Sequence, residues 1–189
     1  MSPDARGSLA VLARLRSEIR ADRESVGRCL ADVREVLDAW EQAPPGRPHL
    51  VLAAAALHAW YTGLEAVLER VARAVDGAAP AGETWHRDLL SQAMTELPGI
   101  RPPVLPRALN LELLELLEFR HFFRHGYGLD LDPAKLRHNL ERLLAVAPQV
   151  EAALDAFDQF LGQAMGEAAR ENGSGPARIV NRRPERDRE

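Results

Sequence analysis

The stretch LNLELLELLEFRHFFRHGY, residues 109–127, decides how this chain is read. Leu109, Leu113, Leu116, Arg120, Phe123 and Tyr127 recur at steps of four, three, four, three and four, which is one face of an α-helix. Arg120 stands in that face where a leucine belongs. A buried guanidinium is strongly unfavourable unless paired, so Arg120 needs a carboxylate, a bound anion or an exit to water along its aliphatic stem. Arg124 projects within a few tens of degrees of the same face, and His121 and His125 form an adjacent ridge four residues apart. Two arginines and two histidines therefore crowd the end of an apolar helix.

The rest of the chain has the same helical character. Of 189 residues, 30 are Ala and 28 are Leu, against 12 Val, 3 Ile and 3 Thr, which excludes a sheet protein. The length allows one domain with a real core. A net charge of -4 excludes a globally basic surface, so any contact with nucleic acid must be local. The segment 173–189 holds five Arg and three acids, and reads as a disordered extension. Its default role is solubility. The single Cys29 excludes an internal disulfide and a cysteine metal site, and flanks an apolar stripe as a small core thiol. The start carries no basic region followed by an apolar stretch. The longest apolar run, Leu50 to Leu57, is far short of the ~20 residues of a membrane span, so the expectation is a soluble, cytoplasmic protein with no membrane contact.

Five helices are expected. The first runs from about Ser8 to Trp40 on Val26, Leu30, Val33, Leu37 and Trp40, and Pro44, Pro45, Gly46 and Pro48 stop it. The second, about His49 to Val75, buries Leu50, Leu57, Tyr61, Leu64, Leu68, Val71 and Val75, and its run Ala53 to Ala56 permits close packing. Thr84 is placed to cap a short third helix, Trp85 to about Glu96. A proline-stiffened loop through Pro98, Pro102, Pro103 and Pro106 leads to the fourth, Leu109 to about His125. Asp132 and Pro133 then start a fifth, which runs to about Ala169 with a possible kink before Pro148. The expected architecture is an all-α, up-and-down bundle of four or five helices over residues 1–170, with 171–189 as a flexible Arg-rich tail.

No glycine-rich phosphate loop, nucleophile elbow or paired acidic metal motif is present. His121 and His125 have the spacing of helical zinc ligands, but Phe122 stands where a zinc protease has its glutamate. Neither a metal nor a cofactor is expected.

Arg120, four residues, His125, one residue and Tyr127 together resemble the signature of the HEPN superfamily, most closely the HepT-type toxins paired with a minimal nucleotidyltransferase antitoxin. The stretch Tyr61 to Leu90 is similar more loosely, and the resemblance covers about residues 49–160. It implies a metal-independent ribonuclease that works as a homodimer, with Arg120 and His125 as the catalytic pair. It also implies that the antitoxin attaches AMP to Tyr127, flanked by Gly126 and Gly128, and so silences the enzyme.

The chemistry is consistent with that implication. Metal-free RNA cleavage needs a base for the 2′-hydroxyl, an acid for the leaving oxygen and positive charge on the transition state. Histidine titrates near neutrality and arginine grips phosphate through two bonds. Arg120 and His125 lie ~140° apart on an ideal helix, an objection that a two-fold axis answers by facing His125 of one chain towards Arg120 of the other. Arg124 and His121 are then auxiliary RNA or phosphate contacts. Glu65 is the first candidate to pair with and orient Arg120, with Glu69 and Asp88 behind it, while His86 and His58 read as structural or surface histidines. Two other readings stay open: a catalytically silent HEPN module that binds RNA, a nucleotide or the nucleotidyltransferase, and a plain helical adaptor.

Overall fold

The computed structural model describes residues 3–125 and 131–173, with side chains described over 7–123 and 131–170. Five α-helices follow one another: α1 (Pro3–Gln42), α2 (Arg47–Ala74), α3 (Trp85–Ala93), α4 (Asn110–His125) and α5 (Pro133–Gly173). A single 3-10 turn, Arg107–Leu109, leads into α4, and among the described residues the one strand-like feature is an isolated bridge between Leu97 and Arg101. The four long helices alternate in direction. Arg70 of α2 reaches Glu18 and Asp22 of α1, Arg16 of α1 reaches Asp158 of α5, and Glu112 of α4 meets Arg142 of α5. This is the all-α, up-and-down bundle that the composition and periodicity predict.

α2 is the central helix and touches all four others. Its length and apolarity alone would suit a membrane crossing, but those apolar residues form a protein core. Leu57, Trp60, Tyr61, Leu64, Val67 and Leu68 are buried, and Ala53 and Ala54 are wholly so. Small residues let α1 and α2 approach closely. A β-carbon added at Gly63 would lie 2.5 Å from Val26 Cγ2, so glycine is needed there for space and not for backbone freedom. Cys29 is half-buried beside the core, its thiol donating to the Ser25 carbonyl at 3.4 Å. Burial, with Asp32 nearby, pushes that thiol above its ordinary range, which suits an inert packing residue.

Two helix boundaries follow different chemistry from one another. Asp132 caps α5 as expected, its Oδ1 accepting the backbone N–H groups of Ala134 (2.9 Å) and Lys135 (3.2 Å). Thr84 does not cap α3. Its hydroxyl donates to Asp88 Oδ2 at 2.7 Å instead of accepting from the backbone, because a carboxylate one turn on is the stronger acceptor. α5 continues through Pro148, supported on both sides by buried Val146, Ala147 and Val150.

The proline-rich loop after α3 is held by an unforeseen clamp. Arg101, 3% exposed, pairs through both ends of its guanidinium with Asp76 at 2.6 Å, and donates to the carbonyls of Thr95 and Gln92. Gln92 of α3 donates to the same aspartate at 2.6 Å. Asp76 just beyond α2, the end of α3 and the loop are thereby tied together, and α3 is fixed against α2.

Two outcomes are expected. Gly63→Ala lowers stability by about 1–3 kcal/mol in denaturant melts, and adding Val26→Ala recovers much of the loss by making room for the new methyl. Burial, reinforced by Glu65 and opposed by Arg120, holds the Tyr61 phenol protonated above its ordinary value of 10.0. The unfolded phenol ionises first, so Tyr61 favours the fold fully below that pH and progressively less above it. Wild type should therefore lose stability relative to Tyr61→Phe above about pH 10, with a slope of at most ~1.4 kcal/mol per pH unit.

Candidate functional site

The buried polar or charged residues of the described chain are Glu65, His86, Arg101 and Arg120. Arg101 belongs to the loop clamp. The other three meet at one point, where α2, α3 and α4 converge.

Arg120 lies at the centre of the buried face of α4, in line with Leu109, Leu113 and Leu116 and beside Leu117. It does not escape to solvent: its side chain is 7% exposed. Its Nη2 lies 2.7 Å from Glu65 Oε2 on α2, its Nε donates to Thr62 Oγ1 at 3.3 Å, and its Nη1 is 3.4 Å from His86 Nε2. Glu65 is equally buried, and its other oxygen, Oε1, is 2.5 Å from His86 Nδ1. The carboxylate thus serves one partner with each oxygen. The partnership of Glu65 with Arg120 is the one expected from sequence; Glu69 instead bonds Arg73 on its own helix, and Asp88 receives Thr84.

His86 is the residue that sequence reasoning missed. It is not a surface histidine but a buried link between Glu65 and Arg120. A signal was present: His86, Leu89, Leu90 and Ala93 make up the buried side of α3, so the apolar periodicity of that helix already turned His86 inwards. Its ring lies against Trp85 with centroids 3.6 Å apart, and His121 approaches edge-on at 4.9 Å. His121, half-buried, is therefore at the rim of the cluster. His58 of α2 contacts Phe123 of α4 at 5.5 Å, and Phe123 stacks with Phe119 at 6.3 Å. Phe122, in contrast, is 54% exposed and Leu111 74% exposed on the outward face of α4.

α4 presents His125 at its last described position, but the side chains of Arg124 and His125, all of Tyr127 and the tail 174–189 lie outside the described residues. A cleft of about 580 Å³ lies on the far flank of α4, between Phe119 and Phe122 on one side and Lys135, His138 and Arg142 of α5 on the other. Arg120 does not line it. Among the described residues no group of three His, Cys, Asp or Glu is arranged to hold a metal ion.

The cluster's arrangement is that of a preorganised cation. A carboxylate neutralises the guanidinium, while a hydroxyl and an imidazole set its plane.

Residues 52–161 match the family model described as HepT-like protein, a span that takes in Thr62, Glu65, His86, Arg120 and His125 and leaves out the whole of α1. No match was found among curated proteins or among solved structures. With more than half of its length matched, and with the motif arginine seated on Glu65 at the heart of the matched helices, this chain belongs to the HepT-like family of the HEPN superfamily.

Proposed function

We propose that this protein is the toxin of a toxin–antitoxin pair, a metal-independent endoribonuclease whose site is built from Arg120 and His125 across a homodimer. The family's setting is toxin–antitoxin partnership and dimerisation in general. The observation that carries the finer reading is the burial of Arg120 against Glu65. An apolar helix face would be more simply completed by leucine, and a charged network maintained there points to a use for the charge.

In this reading Arg120 stabilises the negative charge that develops on the phosphoryl oxygens, and His125 exchanges protons with the attacking or leaving oxygen. On an ideal helix position 125 is ~140° from position 120 and ~60° from position 122. The two-fold axis that this reading needs therefore lies beside the C-terminal end of α4, between the lines of positions 120 and 125. Leu111 and Phe122, exposed on α4, and Val51 and Leu52, exposed on α2, are apolar surface that a dimer would cover. Phe123 contributes less than its position suggests, since it already packs within its own chain. Arg124 and His121 serve as auxiliary phosphate contacts. Tyr127 is the residue to which the nucleotidyltransferase antitoxin transfers AMP.

One observation favours a second reading. The Arg120 guanidinium is covered in the isolated chain, as expected of a non-catalytic HEPN module that holds RNA, a nucleotide or the nucleotidyltransferase.

RNA cleavage in EDTA separates the two. Wild type should leave 2′,3′-cyclic-phosphate ends, and His125→Ala should slow cleavage by ~10²–10⁴-fold while melting normally. Arg120→Lys should be impaired as well. It keeps a cation opposite Glu65 and so avoids stranding a buried carboxylate, a change that costs about 3–5 kcal/mol when one partner is removed outright. Equal inertness of wild type and both variants, with RNA still bound, would establish the binding module. After co-expression with a neighbouring nucleotidyltransferase, intact mass should show one added AMP on wild type and none on Tyr127→Phe; an unmodified wild-type chain removes the AMPylation step.

A further inference from the structure

His86 stands between two groups whose hydrogen-bonding roles are fixed. A guanidinium can only donate, and a carboxylate ion-paired to it can only accept. With Nε2 facing Arg120 Nη1 at 3.4 Å and Nδ1 facing Glu65 Oε1 at 2.5 Å, the ring satisfies both neighbours in one form: neutral, with its proton on Nδ1. Charge balance agrees. Glu65 and Arg120 neutralise each other at 7% exposure, and a protonated ring would place a second buried cation against the first.

The ring is also fixed in orientation. Trp85 covers it at 3.6 Å, His121 closes on it edge-on at 4.9 Å, and the helix that carries it is tied to α2 through Gln92, Asp76 and Arg101. A single ion pair leaves a guanidinium free to swivel about the contact. Contacts from Thr62 and Glu65 on α2 and from His86 on α3 define its plane.

We propose that His86 is a positioning residue: a neutral Nδ1–H imidazole that ties Glu65 to Arg120 and holds the guanidinium in the orientation in which its remaining N–H groups meet a phosphate. His86 lies outside the Arg120–His125–Tyr127 motif and 34 residues from Arg120 in sequence. The phosphate part of the inference rests on the ribonuclease reading; the tautomer and the restraint on Arg120 do not.

The test has two arms on the full chain. In the first, nitrogen NMR on histidine- and arginine-labelled protein uses His86→Asn and Arg120→Lys to assign signals. The expected result is one protonated and one bare ring nitrogen for His86 near neutral pH, with the proton on Nδ1. The Arg120 Nη signals should be resolved by hindered rotation in wild type and merge in His86→Asn. The asparagine amide can still donate to Glu65 but leaves Arg120 without its acceptor. A proton on Nε2, a doubly protonated ring, or Arg120 signals unchanged in His86→Asn would overturn the proposal, whether or not the protein cuts RNA.

In the second arm, His86→Asn should lower kcat for RNA cleavage roughly 10- to 100-fold with KM little changed, the scale on which small misplacements act. His86→Gln, which can return an acceptor towards Arg120, should restore part of the rate. In an Arg120→Lys background the asparagine change should add almost nothing, because its effect passes through Arg120. Full, additive loss in that background, or an unchanged kcat, sinks the positioning role. If wild type itself is inert, the ribonuclease reading falls and the spectra alone decide on His86.

Discussion

The buried ion pair between Arg120 and Glu65 sets the conditions that the middle of this bundle has to meet. Once a guanidinium occupies the core face of α4, a carboxylate must face it from α2, and the lone pairs and protons left over must be satisfied without water. Thr62 and His86 supply that satisfaction. α3 has to be present, and in the right rotational phase, because it carries the imidazole. The Asp76–Arg101 clamp then has a clear purpose, since it locks the far end of α3 and the loop beyond it to the end of α2. Two buried arginines thus cooperate: one within the site, one holding the helix that completes it.

α1 solves a different problem. It lies wholly outside the family span, yet it covers the opposite side of α2 with Leu15, Ile19, Val26, Leu30 and Val33. Its register is set by steric fit at Gly63 and by arginines reaching across helices: Arg16 binds Asp158 through two bonds, Arg23 binds Glu151 and Asp155, and Arg70 binds Glu18 and Asp22. Arg137 bonds Glu41 near the other end. Each exposed pair adds little by itself, but forked guanidinium contacts discriminate a one-turn slip of α1 along α5 better than an Ala- and Leu-rich stripe can. A chain with 23 arginines and one lysine is well supplied for that task.

The helices were legible because their apolar residues keep a 3.6-residue period over long runs, and Arg120 stood out because it interrupts one of them. Glu65 could be nominated since it lies beside the inner stripe of α2, within reach of any helix packed there. His86 was not assigned to the site, although its own helix turned it inwards, because what it touches depends on how α3 crosses α2 and α4. Arg101 was hidden for a similar reason. It sits among prolines, in a segment without periodicity, and its partner is 25 residues away across a helix. The Thr84 cap failed on a local competition that the sequence does contain, since Asp88 is one turn ahead. Long-range pairing of polar groups is set by the crossing geometry of helices, and a single sequence encodes that only indirectly.

α4 divides its labour by face. Its inner line ends on a guanidinium held by two other helices, whereas its outer line, Leu111, Glu115, Glu118 and Phe122, is open, with Glu118 bonded to Arg87 of α3. These faces are nearly opposite, so a partner covering the outer line leaves the Arg120 network undisturbed, and the two-fold contact that joins position 125 to Arg120 has to lie at the end of the helix instead. A site assembled in that way would keep its permanent charge inside one protomer and receive its titrating group at the seam between two. The rigid half can be built by folding alone, at the core density and low dielectric that strengthen an ion pair, and the proton-transferring half stays where water and substrate can reach it. Burial of Arg120 then serves the proposed ribonuclease by fixing the guanidinium on Glu65, Thr62 and His86.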